Sequence, residues 1–285
     1  MRRSAILIFA LFLLAMILLI PSIPLEIRKG LAVLTFAAVL WITEAIPLAI
    51  TSLSIPVLAV LLGILDVKAA FSSFAHPIIF LFFGGFALAT ALTKYGLDKF
   101  LAFKIVSVSK GSLFGTAILL FAATAFISMW ISNTSTTAMM LPLALGIAGT
   151  VSADSRLKTF LLLGIAYSAS VGGIGTLVGS PPNGITAANL GMEFTDWLKT
   201  GLPAVFILFP LLFLILYLYF RPDLKRKVTI ENFTIEMTKE RIGVLLVFLI
   251  TVTLWLFSKK VAAFIGVHKY FDAVIAVFAV ILLFA

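Results

Sequence analysis

The chain has no cysteine and only two histidines among its 285 residues. Without cysteine there is no disulfide, no thiol nucleophile and no zinc–thiolate site. Charge is scarce as well: 12% of residues are charged, against roughly 25% in an average soluble domain. That is too little polar surface for a water-soluble shell, and it leaves little material for acid–base catalysis. Apolar residues take the remaining space, with 62% hydrophobic, 27 phenylalanines and a mean hydropathy of +1.21. Apolar runs recur at 4–20, 31–46, 47–64, 77–95, 113–131, 135–149, 159–190, 201–220, 241–257 and 271–285. Many are near the ~20 residues that a helix needs to cross a bilayer. The composition predicts an all-α polytopic membrane protein that has the lipid bilayer as its solvent and is not an enzyme.

A net charge of +9 would suit nucleic acid, but the basic residues lie between the apolar runs rather than on one amphipathic face. No nucleic-acid partner is expected. Arg2 and Arg3 precede the apolar stretch Ala5–Ile20 as in a secretory signal, yet Pro21-Ser22-Ile23-Pro24-Leu25-Glu26 offers no small-x-small cleavage site. The first helix is therefore read as retained. With the N-terminus in the cytoplasm and 113–149 returning to its own side, 14 of the 21 lysines and arginines fall inside and 7 outside. This bias predicts a multi-pass protein of the cytoplasmic membrane with a cytoplasmic N-terminus.

Two segments resist the simple spanning-helix pattern. Segment 113–149 has no charged residue, yet carries Ser132-Asn133-Thr134-Ser135-Thr136-Thr137 in its middle. The arm after that polar run is too short to cross, so a re-entrant helical hairpin is expected. Its tip at membrane depth requires burial in protein or an aqueous cavity. Segment 159–190 begins as a helix and then reads Gly172-Gly173-Ile174-Gly175-Thr176-Leu177-Val178-Gly179-Ser180-Pro181-Pro182-Asn183-Gly184. Five glycines and two prolines in 13 residues will not sustain a helix. A spanning helix broken near the midplane, restarting around Asn183, is expected. Helix ends at depth suit an anion through their free N–H groups, and carbonyl, hydroxyl and amide oxygens suit sodium. With no lysine or arginine in either segment, a bound dianion needs a co-bound cation, which predicts cation coupling.

Other features are weighed against plainer readings. Gly84-Gly85 and Gly164 read as packing residues. Glu44 reads equally as a satisfied helix-end carboxylate or a functional one. His76 before Pro77 reads as a helix start, with a proton carrier as the lesser alternative. Trp41, Trp130, Trp197 and Trp255 read as packing or interfacial anchors. Pro47 divides the long run 31–64 at a sharp turn. Segment 97–110 alternates Asp98, Lys99, Lys104 and Lys110 with apolar residues, the pattern of a helix lying in the interface. Aligning Trp41 with Trp255 pairs Leu40 with Leu254, Val33 with Val247 and Leu31 with Leu245, in segments expected to run in opposite directions. Inverted repeats of this kind are a habit of secondary transporters.

The motifs Trp41-Ile42-Thr43-Glu44-Ala45-Ile46-Pro47, Ser128-Met129-Trp130-Ile131-Ser132-Asn133-Thr134, Thr136-Thr137-Ala138-Met139-Met140-Leu141-Pro142 and Gly172–Asn183 resemble the divalent anion–sodium symporters, called INDY-like. The resemblance covers essentially the whole chain. It implies a sodium-coupled symporter that imports a small dianion, most readily a C4-dicarboxylate such as succinate, by an elevator motion in a homodimer. It further implies scaffold helices in 1–95 and a transport region in 111–220, made of the hairpin 113–149, the broken helix 159–190 and a helix at 201–220. A cytoplasmic loop at 221–240 and the start of a second inverted repeat at 241–285 complete the layout. Carried over by motif, Ser128, Ser132, Asn133 and the backbone of Gly179 would bind Na+, and Ser132, Asn133, Thr134 and Pro181 would bind substrate. The family's second Ser-Asn-Thr hairpin and second broken helix are not in this chain. At the repeat offset they would fall beyond Ala285, so a truncated chain with one sodium site and half a substrate site is expected. Sulfate or citrate as cargo, a proton-coupled relative resembling arsenite or citrate carriers, and a non-transporting scaffold remain as alternatives.

Overall fold

The computed structural model describes residues 3–151, 155–228, 234–267 and 269–285. Arg2, and residues 229–233 of the expected 221–240 loop, lie outside the described residues. The regular elements among the described residues are helices, with one isolated β-bridge between Ser112 and Lys227. The chain divides into two units, Met1–His76 and Pro77–Ala285.

The first unit contains α1 (Arg3–Leu18), α2 (Leu25–Thr43), α3 (Leu48–Leu61) and the short α4 (Val67–Ser72), followed by a 3-10 turn at Ser73–Ala75. Its core joins Ala10 of α1 to Phe36 and Leu40 of α2 and to Ala45. Arg28 donates from Nη1 to the Leu18 carbonyl at 3.0 Å, satisfying one of the open carbonyls at the end of α1. The turn expected at Pro47 is present. Helix α2 stops at Thr43, Glu44 adopts the left-handed region at φ +47°, and Pro47 leads into α3. Glu44 is exposed.

The second unit contains α5 (Pro77–Lys94), α6 (Leu97–Ser107), α7 (Leu113–Ser128), α8 (Asn133–Val151), α9 (Ser155–Gly173), α10 (Pro181–Leu190), α11 (Phe194–Phe220), α12 (Lys239–Leu256), α13 (Ser258–Ile265) and α14 (Phe271–Phe284). Small residues allow close helix approach, as is usual between membrane helices. A Cβ on Gly164 would fall 1.7 Å from the Phe121 ring, and one on Gly84 would fall 2.5 Å from the Ala276 carbonyl oxygen. Both glycines are thus filled by a neighbouring helix.

An elbow joins α5 to α6 at Gly96, whose φ of +71° suits glycine. The buried Asp98 carboxylate accepts from Thr93 Oγ1 at 2.9 Å and from the Lys99 N–H at 2.7 Å. From the start of α12, Arg241 Nε donates to the Tyr95 carbonyl at 3.1 Å. Along α6, Leu97, Asp98, Ala102 and Val106 are buried while Lys99 and Lys104 are exposed. The chain after α11 folds back on the base of the hairpin: Val228 N–H donates to the Gly111 carbonyl at 2.9 Å, and Leu113 N–H to the Arg226 carbonyl at 3.1 Å.

Helices α2 and α12 have 19 and 18 residues, and each ends within two residues of its tryptophan. Their environments differ: Trp41 is exposed, whereas Trp255 is buried and stacks on Phe194 at 5.0 Å. By length and composition Val67–Lys94 and Phe194–Phe220 suffice to cross a membrane, and α12 with α13 forms a third candidate bent by 76°. Shorter apolar helices are Arg3–Leu18, Leu48–Leu61, Leu113–Ser128 and Phe271–Phe284. The protein is an all-α polytopic membrane protein.

Candidate functional site

Helices α7 and α8 form two arms separated by the short break 129–132, and α9 and α10 are separated by 174–180. The tip of the first pair meets the break of the second. Glycine permits the approach: a Cβ on Gly172 would fall 2.0 Å from the Ala125 carbonyl oxygen, and one on Gly173 would fall 2.4 Å from Asn133 Oδ1. Ser128 is fully buried and donates from Oγ to Asn133 Oδ1 at 2.7 Å. Thr176 Oγ1 donates to the Met129 carbonyl and accepts from the Gly179 N–H at 3.1 Å. One hydroxyl thus ties the hairpin tip to the broken helix.

The break is held open by specific partners for its backbone. Asn183 is buried and donates from Nδ2 to the carbonyls of Gly173 and Thr176, both at 2.7 Å. Trp197 of α11 donates from Nε1 to the Ile174 carbonyl at 2.8 Å. Leaving such buried carbonyls unpaired would cost about 1–3 kcal/mol each. The second half-helix starts at Pro181, two residues before the Asn183 expected from sequence, with prolines in its first turn. A proline loses nothing there, because the first N–H groups of a helix have no internal partner.

The carried-over residues are brought together unequally. Ser128 and Asn133 are joined directly. Gly179 reaches them through Gly173, since a Cβ on Gly179 would fall 2.6 Å from the Gly173 carbonyl oxygen. Ser132 instead caps α8: its Oγ accepts from the Ser135 N–H at 3.3 Å and pairs with Ser135 Oγ at 2.9 Å. Thr134 is exposed on the first turn of α8 and Pro181 is exposed at the first turn of α10. No hydrogen bond joins those two among the described residues. Gly173, Thr176 and Asn183, absent from the expected set, turn out to be the fasteners. All three lie in the glycine-rich stretch, where Thr176 and Asn183 are two of its three hydrogen-bonding side chains. That scarcity was a usable signal.

Chemically this is a neutral, oxygen-rich contact with no lysine or arginine from residues 113–149 or 159–190. The fully buried hydroxyls Thr136 and Ser168, each about one turn from it, have no hydrogen-bond partner among the described residues. Unspent oxygens beside a pair of helix N-termini can serve a small hard cation and an anion together.

The family model described as Citrate transporter (CitMHS) matches residues 38–285. The chain belongs to the citrate transporter family. An uncharacterized transporter of Haemophilus influenzae is 48% identical over 289 residues, covering 97% of this chain and 62% of the relative. An uncharacterized transporter of Methanocaldococcus jannaschii is 43% identical over 263 residues, covering 92% and 60%. The sodium-dependent dicarboxylate transporter SdcS of Staphylococcus aureus is 36% identical over 234 residues, covering 75% and 45%. The chain therefore spans between 45% and 62% of the lengths of these three relatives. These matches are consistent with the resemblance to divalent anion–sodium symporters carried by the motifs.

Proposed function

We propose that this transporter is a sodium-coupled symporter importing C4-dicarboxylates such as succinate. The observation that carries the reading is the contact of the hairpin tip with the break, where Ser128, Asn133, Gly173 and Gly179 converge. In this reading Ser128, Ser132, Asn133 and the Gly179 backbone hold sodium, and the Ser128 hydroxyl turns its proton away from Asn133 Oδ1 so that both oxygens face the ion. Ser132, Asn133, Thr134 and Pro181 present hydroxyls, an amide and a helix end to one carboxylate. Sodium offsets the anion's charge at a site whose own segments carry none, so neither binds well alone. The sodium-dependent dicarboxylate relative supports the choice of ion and cargo.

The wider scheme also belongs to this proposal. Residues 1–95 act as scaffold and 111–220 as the moving region of an elevator, in a homodimer of the cytoplasmic membrane with its N-terminus inside. Proteoliposomes carrying the protein, with any downstream sequence its gene encodes, test it. Uptake of succinate is expected to follow a sodium gradient, and Asn133→Ala should abolish it while insertion stays intact. Wild-type uptake in that variant would sink the site. Citrate uptake driven by protons alone would favour the second reading suggested by the family description.

A further inference from the structure

The hairpin tip lacks a cation of its own, but the fold brings one beside it. Phe86, Thr90 and Lys94 recur every four residues and so share one face of α5. With Thr93, and with Ser132 and Ser135 of the tip, they line a cleft of about 550 Å³. That volume is within the ~300–1,000 Å³ usual for small-molecule sites. The Lys94 ammonium lies 5.6 Å from the Tyr95 ring centroid and takes part in none of the ion pairs among the described residues. The acid nearest in sequence, Asp98, is buried and turned toward Thr93 and the Lys99 N–H, and forms no ion pair with Lys94 among the described residues. Across the cleft, the 2.9 Å bond between Ser132 and Ser135 uses one hydroxyl proton and leaves the other free to be donated.

We infer that Lys94 is a specificity-determining residue, which charges this cleft positively and so favours dianions over monoanions on the way to the hairpin tip. The inference rests on the proposed anion transport for its purpose, but the charge of the cleft is measurable without any transport. An anionic carboxylate entering here meets an ammonium that is in no ion pair on one wall and a free hydroxyl donor on the other. A monoanion gains about half the attraction that a dianion does.

The absence of cysteine makes the test direct. Thr90→Cys places a single thiol on the exposed lining, one turn from Lys94. Its modification by an anionic and by a cationic methanethiosulfonate is compared, each rate normalised to that of a free thiol. The anionic reagent should react about fivefold faster, the effect of one nearby charge on probes differing by two units in a water-like medium. Adding Lys94→Gln should bring the ratio to about one, and Lys94→Arg should keep it. Equal rates in the Thr90→Cys protein would overturn the inference. In transport, Lys94→Gln should raise KM for succinate presented on the Lys94 side of the membrane about fivefold with kcat unchanged, and Lys94→Arg should restore it. An unchanged KM would overturn the role in specificity. A charge preference without succinate uptake under any gradient would remove the dicarboxylate reading and leave the charged cleft standing.

Discussion

Helix α11 and the α9–α10 pair are apolar segments of similar reach, yet one stays whole and the other breaks. Helix α11 runs uninterrupted for 27 residues with Pro203 and Pro210 inside it. The α9–α10 pair opens at 174–180, a stretch with no proline of its own. Proline alone therefore does not decide where this chain leaves the helix. A proline removes one N–H and frees one carbonyl, which the remaining turns of a long helix tolerate. An open break exposes several groups, and persists only where each finds a partner. Here Asn183, Thr176 and Trp197 supply those partners, and glycines let them come close enough.

The largest expected effect comes from removing that closeness. Gly173→Ala would drive a methyl to 2.4 Å from Asn133 Oδ1, so the tip and the break must separate. Sodium affinity, read from the sodium dependence of uptake, should fall at least ~1,000-fold, equivalent to about 4 kcal/mol. An unchanged sodium dependence would show that the contact is not the ion site. Next comes Asn183→Leu, which leaves two buried carbonyls without donors. Thermal unfolding in detergent should report a loss of about 2–4 kcal/mol, and a near-neutral result would mean that the break does not need its fastener. The smallest loss is expected in the unbroken helix: Pro210→Ala returns one N–H donor and leaves no group unpaired, so it should not lower stability in the same assay. A large change there would erase the contrast between the two segments.

Both interruptions were legible in the residues, because a charge-free run with Ser-Asn-Thr at its centre and a run with five glycines have few other uses. Their edges were not. The polar run suggested a tip spread over 132–137, whereas the break is 129–132 and Asn133–Thr137 is already helix. Hydroxyls there bond to their own turn, as Thr137 Oγ1 does to the Asn133 carbonyl at 2.8 Å, so polarity did not mean loop. Partners distant along the chain were illegible for a different reason. The Trp197 bond to Ile174, the Phe194 N–H bond to Asp272 at 2.8 Å and the position of Lys94 across from Ser132 all depend on helix packing. Periodicity within one segment says nothing about which segment will face it. The likeness of α2 to α12 was legible as a pattern, but the exposure of Trp41 and the burial of Trp255 were not.

The bond from Arg241 to the Tyr95 carbonyl joins residues 146 apart, and that separation also sets a timetable. At synthesis rates of about 5–20 residues per second, the segment between them takes roughly 7–30 s to emerge. Throughout that interval the elbow before α6 has been made but its clamp has not. The nascent protein must carry the hairpin and the broken helix into the bilayer with that joint still unlocked, and only the arrival of α12 closes it.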